Sequence, residues 1–188
     1  MAGSLLVRES QIIARLLLEH ADAKAWHKAI VIDNILQKRS PESSKRQARL
    51  IKSRLVLMQP ELWTIIDQGM TDAVIQALLA AAIKRSHLLG DFMDQILRSH
   101  WQTFRNKISI SDWENFLATC TQIDSNLKTW KDSTRNQLRH VIFRILVEAK
   151  YINNTGSLEL LPVTMVPEVK NYLSDHSEEY VLKCMEIR

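Results

Sequence analysis

Residues 72–85, DAVIQALLAAAIKR, decide the fold. From Ala73 to Ile83 the stretch runs 11 residues with Gln76 as its one polar member. Alanine and leucine are strong helix formers, and here they face nearly every direction around a helical axis. A helix of that kind needs neighbours on all sides, so it belongs in the middle of a bundle. Thr71 or Asp72 opens it, and Lys84 and Arg85 complement the negative end of its dipole. A spanning helix needs roughly 20 apolar residues, so the stretch reads as the buried centre of a soluble protein, with no membrane partner.

Helical spacing recurs on both sides of that centre. Ile12, Ile13, Leu16 and Leu17 mark a helix over about 8–20, and Trp26, Ile30, Val31, Ile35 and Leu36 mark a second over 22–37. Ser40-Pro41 ends the second, because the residue before proline is pushed out of the α region. Ser43 or Ser44 caps a third helix running to about Met58. A short helix follows from Pro60 to Ile66, and a further one covers 88–101. Residues 103–111 separate two lobes, 1–102 and 103–188, which can pack as one domain. Ser111 and Glu114 have capping-box spacing and start a helix through Cys120. A long helix spans 132–150. Asn153–Gly156 is a turn signal able to join two short strands around 151–152 and 158–160, and 163–173 and 175–185 close the chain as helices. The expected class is all-α, in two packed helical lobes with room for a small C-terminal β-hairpin.

Composition agrees with that class. Glycine and proline number four each among 188 residues. Two cysteines, Cys120 and Cys184, lie far apart in no metal-like spacing and read as reduced thiols of a cytoplasmic protein. The N-terminal MAGSLLVRESQ lacks the apolar core of a secretory signal.

The charge is uneven. KRSPESSKRQARLIKSR, residues 38–54, holds seven Lys or Arg against the single Glu42, a net +6. The whole chain carries only +4, so the other 171 residues hold 18 basic and 20 acidic groups and sum to −2. Such a local excess is the electrostatic footprint of a polyanion reader. At about 100° per residue, Lys45, Arg49 and Lys52 fall within about 60° of one another, with Ala48, Ile51, Leu55 and Met58 on another side. Lys45, Arg46, Arg49 and Lys52 are therefore the main candidate phosphate contacts, with Lys38, Arg39 and Arg54 at the edges. Ser40, Ser43 and Ser44, together with the free N–H groups of the helix start, are further donors to phosphate. Arg105 and Lys107, between the lobes, are secondary candidates. The bland alternative is a solvated helix face, but such faces usually mix signs. An acidic protein partner or RNA fits the same patch. Other cations, Lys84, Arg85, Arg98, Lys128, Lys131, Arg135 and Arg139, lie among acids and read as solvated.

Among the five tryptophans, Trp26, Trp113 and Trp130 fit apolar helix faces, whereas Trp101 beside Arg98 and Arg105 is left open as a stacking platform. Catalytic signals are weak. The six histidines show no ligand spacing, and there is no glycine-rich phosphate loop or nucleophile elbow. Glu148-Ala149-Lys150 resembles the end of a nuclease site, but it lacks the strand and the second acid and reads as surface charge. No enzyme activity, metal, cofactor or small-molecule substrate is expected.

The order of residues in GSLLVRES (3–10), WHKAIVIDNILQKRSPESSKRQARLIKSRL (26–55) and ALLAAAIKRSHLLGDFMDQILR (77–98) resembles the BrxA family of BREX bacteriophage-defence systems. The polar patch after Asn34, with Arg39-Ser40 and the downstream Arg54-Leu55, carries most of the likeness. It covers most of the chain, most densely residues 4–100. The resemblance implies a small, helical, cytoplasmic protein with a fold like that of the antitermination factor NusB. It also implies binding to double-stranded DNA alongside other BREX components, in a system that methylates host DNA and blocks phage replication. It supplies no motif of binding residues, so the candidate contacts rest on charge alone.

Overall fold

In the computed structural model, which describes residues 4–187 apart from the side chains of Ser125 and Asn126, the chain is built of helices. Residues 1–3, which begin the N-terminal stretch read above, and Arg188 lie outside the described residues. The order is α1 (Val7–Leu18), α2 (Ala23–His27), which runs on as a π-helical turn (Lys28–Ile32), then α3 (Pro41–Leu55), α4 (Pro60–Gln68) and α5 (Thr71–Arg85). Next, α6 (His87–Phe92), a second π turn (Met93–Leu97) and α7 (Arg98–Gln102) form one continuous rod. The remainder comprises α8 (Ile110–Ile123), a 3₁₀ turn (Ser125–Thr129), α9 (Asp132–Glu148), α10 (Pro167–Asp175) and α11 (Glu179–Met185).

α5 sits where its composition requires. All its residues from Ala73 to Ile83 are buried except Ile75, and it touches α1, α3, α4, α6, α10 and α11. Its alanines let those neighbours approach closely. The polar exception, Gln76, is accounted for. Its amide donates to Thr164 O at 3.0 Å and accepts from Val166 N at 2.8 Å, clamping the extended segment that leads into α10. A buried amide left unpaired costs about 1–3 kcal/mol, so this residue both tolerates its place and fixes a loop.

A second packing centre joins the later helices. Phe92, Trp113, Phe116 and Phe143, from α6, α8 and α9, meet with ring centroids 5.3–6.3 Å apart, mostly edge to face. Buried apolar side chains from Leu5 to Ile187 form one contiguous cluster, so residues from both expected lobes meet in it.

Several boundaries differ from the sequence expectation. The second helix stops at Ile32 rather than Gln37 because Asn34 turns left-handed, with φ 46°. Its amide accepts from Lys38 N and donates to Lys38 O, closing a local loop in place of helix. α8 starts two residues early. Its capping box is Ser109 with Asp112, not Ser111 with Glu114, since the Asp112 carboxylate reaches Ser109 N at 2.7 Å. The C-terminal hairpin reduces to isolated bridges, Ile152 with Leu160 and Lys107 with Glu159; among the described residues there is no strand. Nor, among them, is any helix long and apolar enough to cross a membrane.

Two outcomes follow from this packing. Leu79→Ala, at a fully buried α5 position, should lower unfolding free energy in denaturant melts by about 2–5 kcal/mol. Leu57→Ala, on an exposed turn, should cost under about 1 kcal/mol. The second outcome concerns pH. Burial pushes the carboxyls of Glu9 and Asp94 up, but hydrogen bonds from Lys38 to Glu9, and from Lys183 and Arg98 to Asp94, outweigh it and hold both below their ordinary 4.5 and 3.8. The unfolded chain therefore takes up protons first. This stabilisation is present above the ordinary values and is lost as pH falls through the lower folded ones. Melts should show stability dropping below about pH 4, and Lys183→Met should flatten part of that drop.

Candidate nucleic-acid interface

Ser40, not Ser43 or Ser44, caps α3: its hydroxyl accepts from Ser43 N at 3.2 Å, and Pro41 fills the first helical position. The geometry revises the expected donors. Pro41 has no N–H and that of Ser43 is taken by Ser40, so the helix start offers phosphate little beyond the amide of Glu42, which carries its own negative charge.

The burial of one side of α3 determines what the other side shows. Ser44, Ala48, Ile51 and Leu55 are buried at a spacing of three and four, with Met58 just beyond the helix end. Ser44 is turned inward, its Oγ donating to Ile30 O at 2.8 Å and tying α3 to the first π turn. That removes Ser44 from the candidate contacts. Lys45, Arg46, Arg49 and Lys52 consequently face water. Among the described residues no carboxylate lies within ion-pair distance of any of the four. At about 1.5 Å per residue, Lys45 to Lys52 spans about 10 Å of helix.

Two edge residues prove structural. Arg54 is 5% exposed, and its Nη1 donates to Ser4 O at 2.8 Å. Burial pushes its guanidinium down to about 10, partly offset by the charge of Glu148 and reinforced by that of Arg85. The Glu148 carboxylate in turn accepts from Leu5 N at 2.6 Å. Glu148 is thus an anchor for the N-terminal segment rather than surface charge. Lys38 is paired with Glu9, and neighbouring Gln37 accepts from Arg8 at 2.8 Å, so α1 fastens the loop that leads into α3. Arg39 is exposed and Ser43 half-buried.

The structure adds a residue that the sequence did not mark. Trp26, expected in the core, is half-buried, and Lys52 Nζ lies 4.4 Å from its ring centroid. This cation–π contact orients the last cation of the row and brings α2, with exposed Lys24 and Lys28, alongside α3. No spacing rule could reveal it, because the two residues lie on different elements. Trp101 packs half-buried against the core. Arg105 and Lys107 are exposed, but on the linker tied to residues 158–160 and not on α3. That linker is pinned by buried His100, whose Nδ1 lies 2.9 Å from Lys107 O and whose Nε2 lies 3.3 Å from Asp112. Among the described residues, no group of three or more His, Cys, Asp or Glu assembles as a metal site.

Comparison with known proteins agrees with the resemblance. A BREX protein BrxA of Paramagnetospirillum magneticum is 43% identical over 185 residues, covering 98% of this chain and 93% of that protein. A BREX protein BrxA of Escherichia coli is 28% identical over 186 residues, covering 99% and 87%. A crystal structure of an uncharacterized protein from Magnetospirillum magneticum superposes with a TM-score of 0.91 at 41% identity, covering 99% of this chain and 95% of that one. None of these descriptions names an enzymatic activity. The profile of the BrxA family matches residues 1–177, and the chain belongs to that family, which serves BREX defence.

Proposed function

We propose that this chain is a non-enzymatic, double-stranded DNA-binding accessory protein of a BREX system. One observation carries the reading: four cations, Lys45, Arg46, Arg49 and Lys52, stand in water on one rigid helix, with no carboxylate of the described residues within ion-pair distance. Lysine and arginine so placed neutralise backbone phosphates and release the counterions condensed on them. Such contacts fix position without reading sequence. The reading rests on phosphate contact; base readout would need Arg46 or Arg49 set bidentately within a groove. Arg39 lies at the start of the row, and Lys24 and Lys28 on α2 extend the positive surface. Arg54 and Ser44 contribute only by holding α3 in place, whereas Lys38 is held by Glu9.

The row covers about 10 Å of one rigid helix face. A rigid row suits the fixed phosphates of a duplex, whereas a flexible single strand would be better served by exposed aromatic platforms.

Lys45→Glu/Arg49→Glu/Lys52→Glu changes the local charge by six without touching a buried side chain. In fluorescence anisotropy it should weaken binding to a random 20-base-pair duplex by a factor on the order of 100 or more, with stability lowered by no more than the lost Lys52–Trp26 contact, about 1 kcal/mol. Matched duplex RNA should compete less well than DNA. Unchanged affinity in the folded variant would remove this face. Capture of defence proteins after nuclease treatment, with no binding to free duplex, would favour an acidic protein partner instead.

A further inference from the structure

The candidate interface leaves one cationic feature unused. Lys107, Arg139 and His140 line a pocket of about 330 Å³ at the meeting of the α7–α8 linker, the middle of α9 and the turn at residues 153–158. The sequence placed Arg139 among solvated charges and expected no small molecule. In the fold it stands between this cavity, which has no acidic lining residue, and the α8–α9 groove, which has Glu114 and Asp132. Three other concavities carry acids as well. The groove between α8 and α9 contains Glu114 and Asp132 beside its arginines, and the C-terminal one sets Glu186 against Lys170.

The two acids nearest in the chain are otherwise engaged. Glu159 lies opposite Lys107 across a backbone bridge, but its carboxylate accepts from the Asn153 amide at 2.6 Å. Asp112 is turned into its own capping box and toward His100. The floor is apolar, formed by the buried Ile108, Phe143 and Leu158. The rim carries the hydroxyl of Thr155, while those of Ser109 and Ser157 already donate to Asp112 at 2.7 Å and to Asn153 Oδ1 at 2.8 Å.

The walls are fixed before any ligand arrives. Asn154 Oδ1 accepts from Gly156 N at 2.8 Å and Ser157 N at 2.9 Å, setting the turn. Ile108 N donates to Leu158 O at 3.0 Å, joining the turn to the linker. Phe143 is held in the aromatic cluster with Phe92 and Trp113. α8, 14 residues long, begins at this pocket with Ile110, its first turn already closed by the capping box of Ser109 and Asp112. A preformed hollow with a dry floor and a few convergent polar groups is the usual form of a small-ligand site.

From the cationic rim, the apolar floor and the volume together, we infer that this pocket binds a nucleoside carrying a terminal phosphate monoester. The phosphate sits against Lys107, Arg139 and His140, and the nucleoside lies against the apolar floor. At the low end of ligand-pocket sizes, roughly 300–1,000 Å³, the cavity admits one nucleotide and not two. The nucleotide is either free or the 5′-phosphorylated end of a strand. The site does not depend on α3.

Calorimetric titration of the full chain with AMP, with adenosine, and with a short oligonucleotide bearing or lacking a 5′-phosphate tests this. AMP should bind, with amide NMR shifts concentrated at residues 107–110, 139–143 and 155–158, and adenosine should bind far more weakly. Lys107→Gln and Arg139→Gln, exposed or half-exposed changes, should each cost about tenfold or more in affinity with an unchanged melt. A phosphate-dependent gain for the oligonucleotide above AMP identifies a strand end, and equal or weaker binding identifies a free nucleotide. Lys45→Glu/Arg49→Glu/Lys52→Glu should leave AMP affinity intact, so failure of the DNA reading and failure of this one remain distinct. No AMP binding at millimolar concentration, equal binding of adenosine, or unaltered affinity in both glutamine variants overturns the assignment.

Discussion

A helix whose alanines and leucines must stay dry on every side dictates where the rest of this chain can go. α5 is enclosed by α1, α3, α4, α6, α10 and α11, and each of these must turn an apolar stripe toward it or toward its neighbours. α3 meets that demand with Ala48, Ile51 and Leu55. Once that stripe is committed, helical geometry leaves the cations at 45, 46, 49 and 52 no place but the solvent side. The positive row is therefore a consequence of core packing as much as of charge composition.

The residues that carry the family likeness do converge, but not on a binding surface. Ser4 accepts from Arg54, Leu5 donates to Glu148, Arg8 reaches Gln37 and Glu9 holds Lys38. Asn34 closes the loop just before α3. The N-terminal stretch, the polar patch after the second helix and Arg54 are parts of one fastening that seats α3 against the bundle. In the proposed reading they act on recognition only through position. Charge on the outer side of α3 is what a polyanion would meet.

Much of this was legible in the chain because helical bundles write themselves in local periodicity. The apolar centre at 73–83, the break at Ser40-Pro41 and the long helix from Asp132 all stand in the sequence. What could not be read there depends on contacts between distant elements. The inward turn of Ser44, the burial of Arg54 and the stacking of Lys52 on Trp26 join residues whose neighbours no spacing predicts. The misplaced caps had a different cause. Several serines compete near each start: Ser40 lies three residues before Ser43, and Ser109 two before Ser111. The hairpin failed because Asn153 and Asn154 fold the turn onto their own side chains, leaving too little backbone for a ladder. The pocket around Arg139 was invisible for the same reason as the Trp26 contact, since three segments far apart in sequence build it.

The most direct measurement of the central claim is the affinity for a random duplex across a salt series. If the row on α3 acts through four phosphates, the logarithm of the association constant should fall against the logarithm of salt with a slope of roughly −3 to −4. A slope near zero, or no binding at low salt, would contradict it, because outward cations that displace no counterions are not reading a polyanion.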